Sequence, residues 1–194
     1  MTYTKYLFTP HDLAIFIRIE DLTHSRQSEI LTDLFDNHNA EIVHPFREDF
    51  TLFRRAVNDL LIRYGTDYDD LDEAQMIMDE VNGSSTEITS DPDYYGAYFK
   101  LIKLRLLYTT DYCKIKMSTL LSNFGYQRRS NQLLTRIRRA INKLGIIPQT
   151  RGYETCDLSE VKIDTMIIFR LAEPNGVENR QMFSDDTEIL MYNT

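Results

Sequence analysis

Apolar positions in the first part of the chain recur at helical steps. Phe46, Phe50, Phe53, Val57, Leu60, Leu61 and Tyr64 follow one another at three- and four-residue spacing, and Gly65 stands where a C-terminal cap belongs. The spacing predicts a helix over 46–64. Ile30, Leu31, Leu34 and Phe35 form a similar stripe and predict a helix over 24–37. The run DLAIFIRIE at 12–20 is too uniformly apolar for its period to separate helix from strand. A further helix is predicted over 69–82, ending near Gly83. It opens on Asp69, Asp70, Asp72 and Glu73, which suit the positive end of the helix dipole.

The pattern changes after GSSTEITSDP at 83–92, a small, polar, proline-ended stretch that reads as a linker. It divides the chain into an acidic helical N-terminal domain, 1–92, and a second domain, 93–194, with an acidic C-terminal tail. Residues 94–109 predict a helix with Tyr98, Ile102 and Leu106 on one face and Leu107 as a further candidate. A β-like tract runs from Cys113 to Met117, and Ser118 can cap a short helix closing on Gly125. The clearest element is SNQLLTRIRRAINKLG, 130–145, with Ser130 at the N-cap and Gly145 after the last turn. Its apolar stripe is Leu133, Ile137, Ala140, Ile141 and Leu144. Beyond it, IIPQT, GYETC and DTMIIFRL predict two or three strands around Gly152. The expected architecture is mainly α with a small β-hairpin.

The distribution of charge changes this picture more than its total. The net charge is −8 over 194 residues. Residues 1–99 carry 7 Lys and Arg against 20 Asp and Glu, whereas residues 100–151 carry 12 against Asp111 alone. Residues 152–194 return to 3 against 9. A basic block with almost no acid points to a polyanion or an acidic protein surface, and its rival reading is neutralisation by the acidic half of the same molecule. The acidic cluster at 68–80 fits dipole complementation and solubility. It also suits an imitation of a nucleic-acid backbone, or a flap over the protein's own basic helix. The helix at 46–64 supplies a core or a dimer seam.

On the 130–145 helix, Gln132, Arg136, Arg139 and Lys143 fall roughly opposite the apolar stripe, with Thr135 and Asn142 beside them. These side-chain types read base edges: Arg for guanine, Gln or Asn for adenine, Lys for guanine or phosphate. Arg128 and Arg129 sit at the helix entrance, where backbone N–H groups favour a phosphate, and Arg151 and Tyr153 are candidates for a neighbouring backbone contact. A merely solvated face normally mixes signs, but the polar positions of 128–143 include no acid.

The order of elements and the segment LLSNFGYQRRSNQLLTRIRRAINKLGI, followed by a hairpin ending in MIIFRL, resemble the winged helix-turn-helix superfamily over residues 94–172. The resemblance implies a long helix in the major groove of duplex DNA and a wing on the adjacent phosphates. It makes DNA-binding candidates of Arg128, Arg129, Gln132, Thr135, Arg136, Arg139, Asn142, Lys143, Arg151 and Tyr153. Duplex DNA is the expected partner, with a second copy of the chain as another, since paired half-sites multiply specificity.

The remaining chemistry is sparse. His11, His24, His38 and His44 lack metal-ligand spacing, and Glu160-Val161-Lys162 lacks, over residues 112–156, the upstream Asp that a nuclease strand needs. No phosphate-cradling glycine loop or nucleophile elbow occurs, so a protein without catalysis, cofactor or metal is expected. Cys113 and Cys156 are too few for a disulfide scaffold, and the N-terminus MTYTKYLFTPHDL lacks the apolar stretch of a signal peptide. No apolar run approaches a membrane span, and a cytoplasmic location follows as the expectation. The function expected is a transcriptional regulator, or a plasmid- or phage-type replication or partition factor. The alternative is a protein-interaction subunit or inhibitor, such as an accessory winged-helix subunit of a chromosome-organising complex or an acidic anti-defence protein.

Overall fold

The computed structural model of the chain describes residues 6–65, 94–152 and 154–172. The helix expected at 69–82, the linker at 83–92 and the acidic tail beyond 172 lie outside the described residues. The described residues are mainly helical with one small antiparallel sheet. Among them no helix is long and apolar enough to cross a membrane.

The ambiguous run at the start is helical, α1 (Pro10–Ile19). Its flanks decide the matter. Thr9 accepts a hydrogen bond from the Asp12 N–H, Asp12 accepts from the Thr9 N–H at 2.8 Å, and Pro10 occupies the first turn, where no N–H is needed. Helix α2 (His24–Asn37) is capped by Thr23 and buries Ile30, Leu31 and Leu34. Helix α3 spans Phe50–Tyr64, a later start than the spacing from Phe46 predicts. The reason is Asp49, whose carboxylate accepts from the Leu52 N–H at 3.0 Å and caps the helix there, leaving Phe46–Glu48 as a 3₁₀ turn. Phe35 of α2 meets Phe50 and Phe53 of α3, with ring centroids 5.2 and 6.5 Å away.

Helix α4 (Tyr94–Tyr108) lies at the centre. The expectation of one apolar face is corrected. Tyr95, Tyr98, Phe99, Leu101, Ile102, Leu104 and Leu106 are all buried, and the strip of the helix between Phe99 and Leu104 is taken by the buried Lys100 and Lys103. A helix buried on nearly every side must be covered on nearly every side. Helix α1 packs against it, and so do the sheet and the long helix of the second half. One hydrophobic core therefore runs from Tyr6 and Phe8 to Ile167 and Phe169.

Strands β1 (Cys113–Lys116), β2 (Ile146–Gln149) and β3 (Met166–Leu171) form an antiparallel sheet in the order β1-β3-β2. Ile115 pairs with Ile167 and Pro148 with Phe169, all four on the buried face. Phe169 then meets Phe99 of α4 edge-on at 5.7 Å. Between β1 and β2 lie α5 (Met117–Asn123) and α6 (Asn131–Lys143). Ser118 is not the cap of α5, contrary to expectation. The N–H groups of Met117 and Ser118 donate to the carbonyls of Thr165 and Ile163, each at 2.9 Å, so the first turn is satisfied by tertiary contacts and starts a residue earlier.

Candidate nucleic-acid interface

The candidate surface is built on α6. Ser130 caps it, its hydroxyl accepting from the Leu133 N–H at 3.2 Å. Leu133, Ile137, Ala140, Ile141 and Leu144 are at most 2% exposed, so the stripe read from the sequence is the buried side. Gly145 ends the helix at φ +67°, a left-handed conformation that lets the chain turn directly into β2.

Burial of that stripe leaves the opposite side outward. Gln132, Thr135, Arg136, Arg139, Asn142 and Lys143 are all exposed, as is Arg128 before the helix. The Thr135 hydroxyl donates to the Asn131 carbonyl at 2.8 Å. The Arg136 guanidinium lies over the ring of Tyr95, 5.8 Å from its centroid, and Tyr95 stacks in turn on Phe124 at 4.5 Å. Burial pushes the Tyr95 hydroxyl above its ordinary pKa, with Arg136 pulling the other way. Arg128 and Arg139 have no ion-pair or hydrogen-bond partner among the described residues.

Arg129 is placed differently from its neighbour. It is half-buried, and its guanidinium donates to the Ser159 carbonyl in the connection between β2 and β3. Arg138, which the sequence reading left out, is bound to the same connection. It pairs with Asp157 and reaches the Ser159 hydroxyl at 2.9 Å. Burial pushes the Asp157 carboxyl up, but hydrogen bonds from Ser159 and Arg138 outweigh it and hold the group below the usual carboxylate range. The signal available in the sequence was weak: a lone Arg at the flank of the apolar stripe, with its acid 19 residues away.

The same connection begins with a narrow turn. The Thr150 N–H donates to the Glu154 carbonyl at 3.0 Å, and Gln149 bridges Thr155. Gly152 has φ +112°, which an L side chain rarely adopts. Arg151 is exposed on this turn next to the exposed Glu154, while Tyr153 lies outside the described residues.

The electrostatic setting separates two groups of bases. Lys100, Lys103 and Arg105 of α4 pair with acids of the N-terminal part: Asp12 at 2.6 Å, Glu41, and Glu20 at 2.9 Å. Internal neutralisation thus takes up the bases of α4, while no acid pairs with Arg128, Arg136 or Arg139 among the described residues.

Other candidates remain apart from this surface. Glu160 and Lys162 are exposed in a turn rather than on a strand. His38 and His44 each sit beside a glutamate, Glu41 at 3.2 Å and Glu48 at 3.1 Å, and His11 meets the Tyr64 ring edge-on. Among the described residues no three His, Cys, Asp or Glu side chains gather as a metal site. Cys113 and Cys156 are free thiols whose pKa is pushed up by burial. Compared with protein-family models, curated proteins and solved structures, the chain finds no match.

Proposed function

We propose that residues 94–172 form a winged helix-turn-helix and that the protein binds duplex DNA without catalysis, cofactor or metal. The observation that carries this reading is the outward face of α6 and its entrance, where Arg136, Arg139 and the preceding Arg128 are exposed with no acid paired to them among the described residues. The order helix, strand, helix, helix, strand, strand and the sheet order β1-β3-β2 also support it, because a wing then leaves the sheet beside the second helix of the pair. In this reading α6 lies in the major groove. Arg139, at the centre of the exposed row, reads guanine, and Gln132 and Asn142 read adenine. Arg128 and Arg151 contact phosphates, and Arg129 holds the wing rather than the DNA. A cytoplasmic regulator, or a replication or partition factor, uses such a surface, alone or as a homodimer.

The test is a titration of the full chain on random-sequence duplex at two salt concentrations, beside the variant Arg136/Arg139/Lys143→Ala. The expected result is salt-dependent binding by the parent and its loss in the variant, with the variant still folded. A parent that binds no duplex at low salt, or a folded variant that binds as the parent does, overturns the reading. The basic face then becomes a surface for an acidic protein partner.

A further inference from the structure

The connection between β2 and β3 spans sixteen residues, 150–165, and a chain of that length without secondary structure is normally loose. Here its second part is held on three sides. Arg138 of α6 pairs with Asp157 and reaches the Ser159 hydroxyl, while Arg129 donates to the Ser159 carbonyl. Asp157 also accepts from the Ser159 N–H at 2.7 Å and its hydroxyl at 2.6 Å. Beneath this cluster Leu158 and Val161 are buried, and the carbonyls of Ile163 and Thr165 are bound by the first turn of α5. The turn carrying Arg151 hangs between β2 and this anchor, closed by the Cys156 N–H on the Pro148 carbonyl at 3.0 Å.

An acid in this place calls for an explanation. A carboxylate beside a basic surface repels a polyanion, and Asp157 further neutralises Arg138, which could otherwise face a phosphate. Its presence makes sense if what it fixes is worth more than the charge it cancels. Binding a duplex with a loose wing means ordering the wing at that moment, and a wing ordered beforehand avoids the cost.

We propose that Asp157 is a positioning residue for nucleic-acid binding: its clasp with Arg138, Ser159 and Arg129 ties the connection that bears Arg151 to α6, so that a duplex meets one preset surface. The inference rests on the DNA-binding reading above. Two effects of opposite sign separate it from simple electrostatics. Removing an acid and freeing Arg138 should strengthen and steepen salt-dependent binding if Asp157 does nothing but carry charge. Loss of a positioning contact should weaken binding and leave the salt slope as it was, since no phosphate contact is removed.

The experiment compares the full chain with Asp157→Asn, and with Ser159→Ala, which loosens the clasp without changing the charge. Binding to random-sequence duplex is measured across a salt series, and amide exchange from Glu154 to Ser159 is followed in the free protein. For Asp157→Asn we expect faster exchange and about tenfold weaker binding despite the lost acid, as ordering one or two side chains and their loop costs, while the charge-neutral Ser159→Ala should leave the salt slope unchanged. Ser159→Ala should shift both readouts in the same direction by a few-fold, and it decides the matter if Asp157→Asn does not fold. Unchanged exchange overturns the proposal, as does faster exchange with equal or tighter binding. A parent that binds no duplex fails the DNA reading itself, and the proposal falls with it. A binding parent with an indifferent variant fails the clasp alone.

Discussion

The bases of α4 and those on and before α6 come from one stretch of chain with almost no acid, and the fold uses them in opposite ways. Lys100 and Lys103 are only 7% and 8% exposed, each bonded to a carboxylate from the N-terminal part. Arg128, Arg136 and Arg139 are exposed with no acid opposite. The difference lies in the apolar residues around them. On α4 the apolar side chains take most of the circumference, and Lys100 and Lys103 occupy the remaining strip beneath the N-terminal part, where each must have a counter-charge. On α6 they share one stripe, and the bases collect on the other side. A local excess of charge thus marks a surface only where the helix carrying it has an apolar side to hide.

That contrast is broken most severely at Asp12. Asp12→Ala leaves the Lys100 ammonium buried without its partner and removes half of the Thr9 capping box, so chemical denaturation should show a loss of about 3–5 kcal/mol. Replacing Asp12 and Lys100 together by Leu and Met should recover most of that loss. A lone Asp12→Ala that costs under about 1 kcal/mol would mean that Lys100 finds water or another partner. On α6, Ile137→Ala should cost about 2–5 kcal/mol, because the side chain is fully buried between α6 and the core.

The outward side should behave differently. Arg139→Ala and Arg128→Ala are expected to change stability by no more than about 0.5 kcal/mol. Under the proposed function, Arg128→Ala should flatten the slope of log affinity against log salt by about 0.9, with all sequences weakened alike. Arg139→Ala should cost about 1–3 kcal/mol of preference at one base position. A base preference unchanged by Arg139→Ala moves that role to Gln132 or Asn142.

The smallest effect is a titration. Asp157 is held below its ordinary range in the folded protein, so the stability it supplies is present above the unfolded value, about 3.9, and is lost as the pH falls through the lower folded value. The amide resonance of Ser159, whose N–H donates to this carboxylate, should therefore stay constant from neutral pH to about 4 and move only below it. A midpoint above that value would show that the clasp does not favour the charged form.

How much of this was legible follows the same logic. The α6 stripe, its Ser130 cap and its Gly145 end could be read directly, since strong one-sided amphipathy and local capping are both encoded within a few residues. The position of α4 was not legible, because a helix buried on nearly every side, two lysines included, gives no indication of which neighbours cover it. The Thr9-Pro10-His11-Asp12 sequence did carry the signal for α1, in residues just ahead of and within the apolar run on which the ambiguity rested. Ser118 misled because the carbonyls that serve the start of α5 come from residues more than forty positions later. Arg138 and Asp157 stayed hidden for a similar reason, their pairing being fixed by where the β2–β3 connection returns.

Among the described residues the sheet order β1-β3-β2 leaves two edges where a strand from another molecule could add, and the fold blunts both. Along β1 every second residue is an exposed lysine; Lys116 pairs with Asp164 at 2.8 Å, and Lys114, 4.7 Å from the centre of the Tyr112 ring, places a positive charge on this edge. On β2, Pro148 offers no N–H, and its carbonyl is already bound by Cys156. The three strands are thereby protected from growing into an intermolecular ribbon. Neither edge of the described sheet offers another molecule a plain, fully open strand.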